Sequence, residues 1–407
     1  MLLDFLRKVV KCPWHLYKGK IEPQLVRMFY CLCRLLPLQN RVVASTFKGR
    51  KIGDNPQFII DELLKINNDI DIVWVINEDY VHGLPENIRT ISSWSTPWKK
   101  VYEYATAKVW LNTHKWDMEL RKRKNQIAIN TWHGGLEIKK IDNDVPKFKN
   151  DPKLFREIEF TSKITDIFIS NSDFLSNIFR RAFGYKGTIK KLGFPRNDIL
   201  VNNDNSESVR FIRDKFKINK NVKILFYAPT FRDSFWGGKL DMSVYNIDFK
   251  KVCDVLKKKT GYEWVVLIKF HLFLIQQEEI KNFHNDNVID VTNFQDMQGL
   301  LLSCDAFITD YSSCIFDVAL RNNIPCFTFA IDFDEYKSDR GVYYNMTELP
   351  FPYAKNNDEL FENIKNFDLD KYLCNWNNFK VATGLYETGH ASKDVAKLIN
   401  SFLFDKY

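Results

Sequence analysis

Two histidines stand where an imidazole could act on a substrate. His133 follows an apolar run and precedes Gly134 and Gly135, which let the backbone approach a ligand closely. An imidazole titrates near neutral pH, so it is suited to general-base chemistry. His271 lies two residues after Lys269, so a second imidazole comes with a fixed cation that could stabilise charge on a phosphate. Together these residues favour chemistry on a phosphorylated substrate.

A second candidate site combines two serines with the start of a helix. Ser312 and Ser313 follow the apolar run 306–310 and precede helical sequence. Their hydroxyls and the unpaired backbone N–H groups of a helix start would form a phosphate site, although an ordinary serine N-cap has the same pattern. Asp317 lies four residues after Ser313, on the same helical face. It could accept hydrogen bonds from ligand hydroxyls or complement the helix dipole.

The elements that would position these residues are short apolar runs alternating with helical sequence. The runs are rich in Val, Ile and Phe and mostly do not alternate with polar residues, which is typical of strands buried on both faces. Helical sequence separates several of them, for example at 172–183 and 313–322. This order predicts parallel, doubly wound α/β sheets. The predicted strands span residues 42–47, 70–76, 107–112, 126–131, 166–171, 188–193, 223–229, 263–270, 287–291, 306–310 and 325–330.

Polar groups follow the predicted strands at the end where parallel sheets bind ligands, beyond their carboxyl ends. Six strand ends carry such groups, and a purely structural protein has no need of this coincidence. The groups are His133, Ser172, and the segments 193–198, 230–233, 269–271 and 310–313. The sequence therefore predicts an active site built from strand ends.

The length of 407 residues suits two domains, and the polar stretch 202–208 is the best candidate for the linker between them. An amphipathic helix from residue 392 would close the chain. The eight cysteines form no C-x-x-C pair, which indicates free thiols in a reducing compartment. Because lysines and arginines at the strand ends can balance phosphate charge, we expect neither a metal nor a cofactor. The acidic pairs considered as metal ligands are Asp69/Asp71, Asp332/Asp334 and Asp368/Asp370.

The basic charge of the chain is concentrated at its beginning. Residues 1–40 hold seven Lys or Arg and two acidic residues, whereas the whole chain has a net charge of +8. A nucleic-acid-binding protein would spread this charge over its body, so we expect no nucleic-acid partner. The pattern predicts two short amphipathic helices, over residues 2–10 and from Pro23 to before Pro37. Such helices suit an anionic membrane surface; the alternative is a cap packed on the body of the protein.

Several motifs together resemble the CDP-glycerol glycerophosphotransferase family, the teichoic acid primases and polymerases. Their order and spacing match from about residue 41 to 390, and the set is far more specific than any single motif. The motifs are Trp132-His-Gly134, Gly193-Phe-Pro-Arg-Asn-Asp198, Ala228-Pro-Thr-Phe-Arg-Asp233, Lys269-Phe-His271 and Asp310-Tyr-Ser-Ser-Cys-Ile-Phe-Asp317.

This resemblance implies a GT-B-like fold of two Rossmann-like domains facing a cleft. Residues 41–200 would form the acceptor domain and 201–407 the CDP-donor domain, after a membrane-associating leader over 1–40. The resemblance also implies peripheral attachment to the inner leaflet. His133 is then the proposed base and His271 the second catalytic histidine. The residues expected to bind substrate are Gly134, Gly135, Arg196, Thr230, Phe231, Lys269, Ser312, Ser313 and Asp317.

The implied reaction is transfer of a polyol phosphate from a CDP-polyol to a lipid-linked or polymeric acceptor, with release of CMP. One departure concerns the substrate: the family often reads Trp-His-Gly-Thr-Pro, whereas here Gly135-Leu-Glu137 follows Gly134. Glycerol, ribitol and other polyols therefore stay open. The alternatives are a GT-B glycosyltransferase using a UDP- or GDP-sugar, which would not need paired imidazoles, and an inactive membrane scaffold that binds anionic polymer, against which the two intact histidines argue.

Overall fold

A computed structural model describes residues 22–77, 87–92, 97–203, 206–232, 242–270 and 287–405. The helix expected over residues 2–10 lies outside this part of the chain, as does His271.

Helices and strands alternate along the chain, as expected. The first half contains α1 (Glu22–Cys33), β1 (Gln39–Ser45), α2 (Asp54–Ile66), β2 (Asp71–Val75), β3 (Arg89–Ile91), α3 (Pro97–Thr106), β4 (Ala107–Asn112), β5 (Ile127–Asn130), α4 (Pro152–Ile164), β6 (Ile167–Ser170), α5 (Asp173–Ala182) and β7 (Thr188–Lys191). The second half contains α6 (Asp198–Val201), α7 (Ser206–Lys215), β8 (Val222–Tyr227), α8 (Phe249–Thr260), β9 (Glu263–Ile268), β10 (Val288–Asp290), α9 (Met297–Ser303), β11 (Ala306–Thr309), α10 (Cys314–Ala319), β12 (Cys326–Phe329), α11 (Phe333–Asp339), β13 (Tyr353–Ala354), α12 (Asn357–Lys365), α13 (Leu369–Thr383) and α14 (Ala391–Phe404).

The strands form two sheets, and the α/β class with parallel sheets is confirmed. One sheet has seven strands in the order β3-β2-β1-β4-β5-β6-β7, and the other has six in the order β10-β9-β8-β11-β12-β13. In the first, Val42 pairs in parallel with Ile72 and Val109; in the second, Phe226 pairs with Leu267. Central strands such as β1 and β8 are buried because apolar residues lie on both of their faces.

All eleven predicted strands are present, with ends that differ by a few residues. Two strands were missed, Arg89–Ile91 and Tyr353–Ala354, because runs of three and two residues are too short to show a pattern. The predicted helix at 313–322 is shorter, since α10 covers only Cys314–Ala319. Its end is followed by Asn322, whose backbone is left-handed with φ 59°.

The chain divides into two compact units. Unit 1 comprises Met1–His133, Glu157–Phe168 and Lys393–Tyr407, and unit 2 comprises Gly134–Arg156 and Ile169–Ser392. These limits differ from the predicted 41–200 and 201–407. One reason is that α14 belongs to unit 1, where the Lys108 ammonium donates a hydrogen bond to the Leu403 carbonyl. The acceptor and donor roles given to the two domains stay predictions.

Helix α1 packs on the body of unit 1 along one face. Val26, Tyr30 and Cys33 are buried against Val101 and Ala105 of α3. This is the packed arrangement considered as the alternative to membrane binding. Large apolar side chains nevertheless remain in solvent: Met28 and Leu32 on the opposite face of α1, and Leu35 and Leu36 just after its end. Among the described helices, none is both long and apolar enough to cross a membrane.

Candidate active site

His133 lies in unit 1, three residues after β5, in a geometry that suits a base. Its Nδ1 is 2.8 Å from the backbone oxygen of Thr113. A carbonyl oxygen only accepts hydrogen bonds, so in the neutral ring Nδ1 carries the proton. The lone pair of the neutral imidazole is then on Nε2. A general base needs an unprotonated nitrogen of this kind, held in a fixed orientation.

The backbone before His133 is held in an unusual conformation. Trp132 has φ 53°, in the left-handed region that a bulky residue rarely adopts. Two side chains hold this conformation: the Trp132 N–H donates to Asn130 Oδ1 at 2.8 Å, and Asn55 Nδ2 donates to the Trp132 carbonyl at 3.3 Å. Because the strain precedes His133 by one residue, it sets the direction in which the imidazole leaves the strand end.

His114 is a second imidazole of unit 1 that the sequence analysis left aside. Its ring centroid is 5.3 Å from that of His133, and its ring stacks on Trp132. Burial, followed by the nearby His133, lowers the pKa of His114 well below its ordinary value. Its ring is therefore neutral at physiological pH. The signal was available, because His114 follows the carboxyl end of β4 by two residues.

In unit 2 the structure joins two residues that were predicted separately. Arg196, on the turn Pro195–Asn197, donates from Nη2 to Oδ2 of Asp317 at 2.9 Å. Both side chains are buried. The other oxygen of Asp317 accepts from Asn197 Nδ2 at 3.1 Å. Both Asp317 oxygens are thus engaged within the protein, and Asp317 holds the guanidinium of Arg196 in place.

A carboxylate that sequence reasoning missed connects this pair to the rest of unit 2. Glu387 accepts three hydrogen bonds of 2.9 Å, from Asn171 Nδ2, Asn197 Nδ2 and the Phe194 N–H. Burial raises the pKa of Glu387 to about 8, although these three hydrogen bonds lower it. Glu387 lies in the segment between α13 and α14, and no local pattern identifies it. Its role becomes visible only when residues 216 positions apart are brought together.

Polar side chains of unit 2 lie so close to Gly134 and Gly135 that a Cβ at either position would meet them. A Cβ on Gly134 would lie 1.8 Å from Glu137 Oε1, and a Cβ on Gly135 would lie 2.7 Å from Asn171 Nδ2. Any larger residue would displace the carboxylate or the amide. The glycines thus make room for these two polar side chains, and the predicted approach of a ligand to their backbone stays a prediction.

Two polar residues after β8, Thr230 and Arg232, differ in whether their side chains have hydrogen-bond partners among the described residues. The Arg232 guanidinium is buried and donates to Asp310 at 2.6 Å and Asp332 at 2.7 Å. Asp332 also accepts from the Tyr311 hydroxyl. By contrast, the Thr230 hydroxyl is buried and has no hydrogen-bond partner in the described part of the chain. Thr230, which was predicted to bind donor, therefore has an unused polar group, whereas Arg232 holds the strand ends together.

Lys269 is engaged with backbone oxygens. Its ammonium donates to the carbonyls of Val291, Thr292 and Phe294 at 3.4, 2.8 and 2.6 Å. It therefore fixes the segment after β10. The predicted contacts of Lys269 and His271 with the donor phosphate stay predictions, as does that of Phe231, which is partly buried beside the core of the second sheet.

The two serines before α10 differ. Ser312 Oγ is 2.9 Å from Cys314 Sγ, whereas the Ser313 hydroxyl does not cap the helix. Within the described ranges, no three His, Cys, Asp or Glu side chains come together as a metal site would require. The expectation of a metal-free reaction stays a prediction.

The two sheets of parallel strands alternating with helices are the kind of layers that a GT-B-like fold contains. Residues 28–401 match the sequence model of the CDP-Glycerol:Poly(glycerophosphate) glycerophosphotransferase family, and the chain belongs to this family. The family predicted from the motifs is confirmed. The match extends beyond the predicted limits of 41 and 390 at both ends.

Similar proteins act in teichoic acid synthesis. The chain is 31% identical over 335 residues to the teichoic acid poly(glycerol phosphate) polymerase of Staphylococcus epidermidis, covering 80% of this chain and 45% of that protein. It is 28% identical to the polymerase of the same description from Bacillus spizizenii, covering 93% and 97%. The chain thus spans about half the length of some relatives, including the Bacillus subtilis polymerase at 49%, and nearly all of others. The structure of the wall teichoic acid polymerase TagF superposes with a TM-score of 0.78 at 27% identity, covering 98% of both chains.

Proposed function

We propose that this protein transfers a polyol phosphate, glycerol phosphate or ribitol phosphate, from a CDP-polyol to a hydroxyl of a teichoic-acid-like or capsular polymer. His133 removes the proton of the acceptor hydroxyl, the oxygen forms a bond to the β-phosphorus, and the bond from that phosphorus to the bridging oxygen breaks. CMP leaves with that oxygen. Positioning and charge stabilisation supply most of the acceleration in such transfers.

The observation that carries this proposal is the hydrogen bond between His133 Nδ1 and the Thr113 carbonyl. It leaves the lone pair of the neutral ring on Nε2, as proton removal requires. Family membership supplies the reaction class. The relatives include a poly(glycerol phosphate) polymerase and a poly(ribitol-phosphate) polymerase, which is compatible with either polyol.

Donor binding falls to residues of unit 2. We assign the diphosphate to Arg196, whose guanidinium is fixed by Asp317, and to the hydroxyls of Thr230, Ser312 and Ser313. Charge-assisted hydrogen bonds from a guanidinium to phosphate are stronger than neutral ones. The predicted donor contacts of Lys269 and His271, which follow β9 in the sequence, belong to the same proposal.

A panel of nucleotide donors tests the reaction. We expect CMP release from CDP-glycerol or CDP-ribitol in the presence of a lipid-linked or soluble polyol-phosphate acceptor. Release of UDP or UMP from a UDP-sugar, with no turnover of any CDP-polyol, would instead identify a glycosyltransferase. Binding of anionic polymer with no turnover of any donor would identify a scaffold.

We also propose that the protein attaches peripherally to the inner face of the cell membrane. The exposed Met28 and Leu32 of α1 support this location, together with the exposed Arg27 of the same helix and with Leu35 and Leu36 just after its end. Apolar side chains beside basic ones suit the headgroup region of an anionic leaflet.

A further inference from the structure

Glu137 is a buried carboxyl group with an oxygen that has no hydrogen-bond partner among the described residues. Only 3% of the residue is exposed, and it makes no hydrogen bond or salt bridge with the described part of the chain. Its Oε2 is fully buried and its Oε1 lies against the backbone of Gly134. An unpaired buried carboxylate is costly and uncommon in folded proteins, so it calls for a specific reason.

Asn171 presents a second unpaired acceptor beside the same loop. Its Nδ2 donates to Glu387 and lies against Gly135, whereas its Oδ1 is buried and has no partner among the described residues. The residue is 2% exposed. Consecutive Cα atoms are about 3.8 Å apart, so side chains that contact Gly134 and Gly135 belong to one small region of unit 2.

The chemistry of these two atoms restricts what they can bind. An amide oxygen and an ionised carboxylate only accept hydrogen bonds. A phosphate would be repelled by the carboxylate and offers few donors, whereas a hydroxyl group supplies the proton that each acceptor needs. Two acceptors beside one loop are complementary to a ligand that carries more than one hydroxyl, such as a polyol.

The position of this pair connects it to the proposed donor residues. Asn171 and Asn197 both donate to Oε1 of Glu387, and Asn197 also donates to Asp317, the partner of Arg196. The amide of Asn171 is thereby fixed with its oxygen away from Glu387. Glu137 follows Gly134 by three residues, in the same loop.

We propose that Glu137 and Asn171 form a hydroxyl-binding subsite that holds the polyol and selects it by its hydroxyl groups. This inference rests on the proposed transfer from a CDP-polyol. The hydroxyls can belong to the polyol of the donor or to the terminal polyol unit of the acceptor, because both offer the same chemistry.

The test compares variants on substrates from which single hydroxyls have been removed. Glu137→Leu removes both acceptor oxygens and places an apolar side chain of similar size in a buried position. With CDP-glycerol and a glycerol-phosphate oligomer, we expect kcat/KM to fall by about 10- to 100-fold, since a hydrogen bond to a charged group is lost. Glu137→Gln keeps one acceptor and should fall in between. Glu207→Leu makes the same change at an exposed site on α7 and should leave kcat/KM unchanged.

The deoxy substrates identify the source of the hydroxyl. If the subsite holds the donor, the fall in kcat/KM caused by Glu137→Leu disappears with CDP-1,3-propanediol or CDP-1,2-propanediol, each of which lacks one glycerol hydroxyl. If it holds the acceptor, the penalty disappears with an oligomer whose terminal unit lacks a hydroxyl. Asn171→Ala should show the same dependence on the substrate. A penalty that is equal on all of these substrates, or absent from all of them, overturns the inference.

Two controls separate this inference from the proposed function and from loss of fold. Thermal melting shows whether Glu137→Leu is folded, and we expect its melting temperature to be equal to or above that of the wild type, because an unpaired buried carboxylate is removed. If the wild type releases no CMP from any CDP-polyol, the proposed function fails. Calorimetry with CDP-glycerol, its deoxy analogues and the oligomers then tests the subsite by itself: affinity that is unchanged in Glu137→Leu for every ligand contradicts it.

Discussion

At the scale of single residues, the buried pair of Arg196 and Asp317 combines a structural and a functional role. Its two side chains are 7% and 5% exposed, so each charge depends on the other for compensation. Removing either partner takes away a charge-assisted hydrogen bond in the interior of unit 2. Donor affinity and stability are therefore coupled at this position.

We predict that Asp317→Ala destabilises the protein by about 3–5 kcal/mol, because it removes the buried carboxylate to which the Arg196 guanidinium donates. Arg196→Ala should cost a similar amount, and the double variant should cost clearly less than the sum of the two. Urea denaturation of the four proteins measures the coupling. Additive effects would show that the two side chains act independently and would contradict the coupling expected from their 2.9 Å hydrogen bond.

Two carboxyl groups make stability depend on pH. Burial raises the pKa of Glu137 from 4.5 to about 7; Lys139, Arg196 and Arg340 oppose this rise in pKa, and Asp317 adds to it. Burial raises the pKa of Glu387 to about 8. Both pKa values lie above those of the same groups in the unfolded chain. At a pH between the unfolded and the folded pKa of a group, the folded protein therefore binds more protons than the unfolded chain. The stability that these groups contribute is therefore present at low pH and is lost as the pH rises through the folded pKa.

We predict that Glu137→Gln removes part of the dependence of stability on pH. From pH 5 to pH 7, the wild type should lose roughly 2 kcal/mol of unfolding free energy relative to the variant, since each unit of pKa shift corresponds to about 1.4 kcal/mol and the loss is incomplete at both ends of this range. Urea denaturation at a series of pH values measures the difference. Glu207→Gln, an exposed control, should follow the wild type. Parallel curves for Glu137→Gln and the wild type would show that Glu137 is ionised in the folded protein over this whole range.

At the scale of elements, Lys269 fixes the segment after β10 through three carbonyls. We predict that Lys269→Met, which retains most of the apolar stem, lowers the unfolding free energy of the ligand-free protein by about 1–3 kcal/mol. Lys269→Arg should be intermediate, because a planar guanidinium cannot reproduce three converging donors. Unchanged stability in both variants, with weaker donor binding, would assign Lys269 to the donor alone.

Helix α1 has one face on α3 and the other in solvent, so point substitutions test its membrane role better than deletion. We predict that Leu32→Asp with Leu35→Asp abolishes flotation with anionic vesicles and leaves the melting temperature unchanged, since both side chains are more than half exposed. Val381→Asp, an equally drastic change at an 83% exposed site on α13, should bind vesicles like the wild type. Retained flotation of the double variant would show that α1 serves only as a packed cap.

The sequence was sufficient to predict the elements but not all of the site. The central strands could be predicted because burial on both faces requires continuous apolar runs, as in β8 and β11. The strand-end rule found His133 and Thr230, and the motif resemblance found Arg196. Glu387 and the partner role of Asp317 could not be predicted, because contacts between residues 120 or more positions apart leave no local pattern.

At the scale of the whole molecule, two units each contribute a part of the proposed chemistry. Unit 1 carries an imidazole whose tautomer is fixed by Thr113. Unit 2 carries a network of buried polar groups around Arg196 and the Gly134–Gly135 loop. The chain joins the two parts directly, because His133 and Gly134 are consecutive residues on either side of the division.

The central claim is that His133 acts as the base in transfer from a CDP-polyol. The most direct measurement is the single-turnover rate of CMP release by His133→Ala at saturating CDP-polyol, together with calorimetric affinity for the donor. We predict a rate about 100- to 10,000-fold below the wild type with nearly unchanged donor affinity, because a base acts only as the bond forms. A variant that loses donor affinity but keeps its rate at saturation would show that His133 is a donor ligand and would contradict the account.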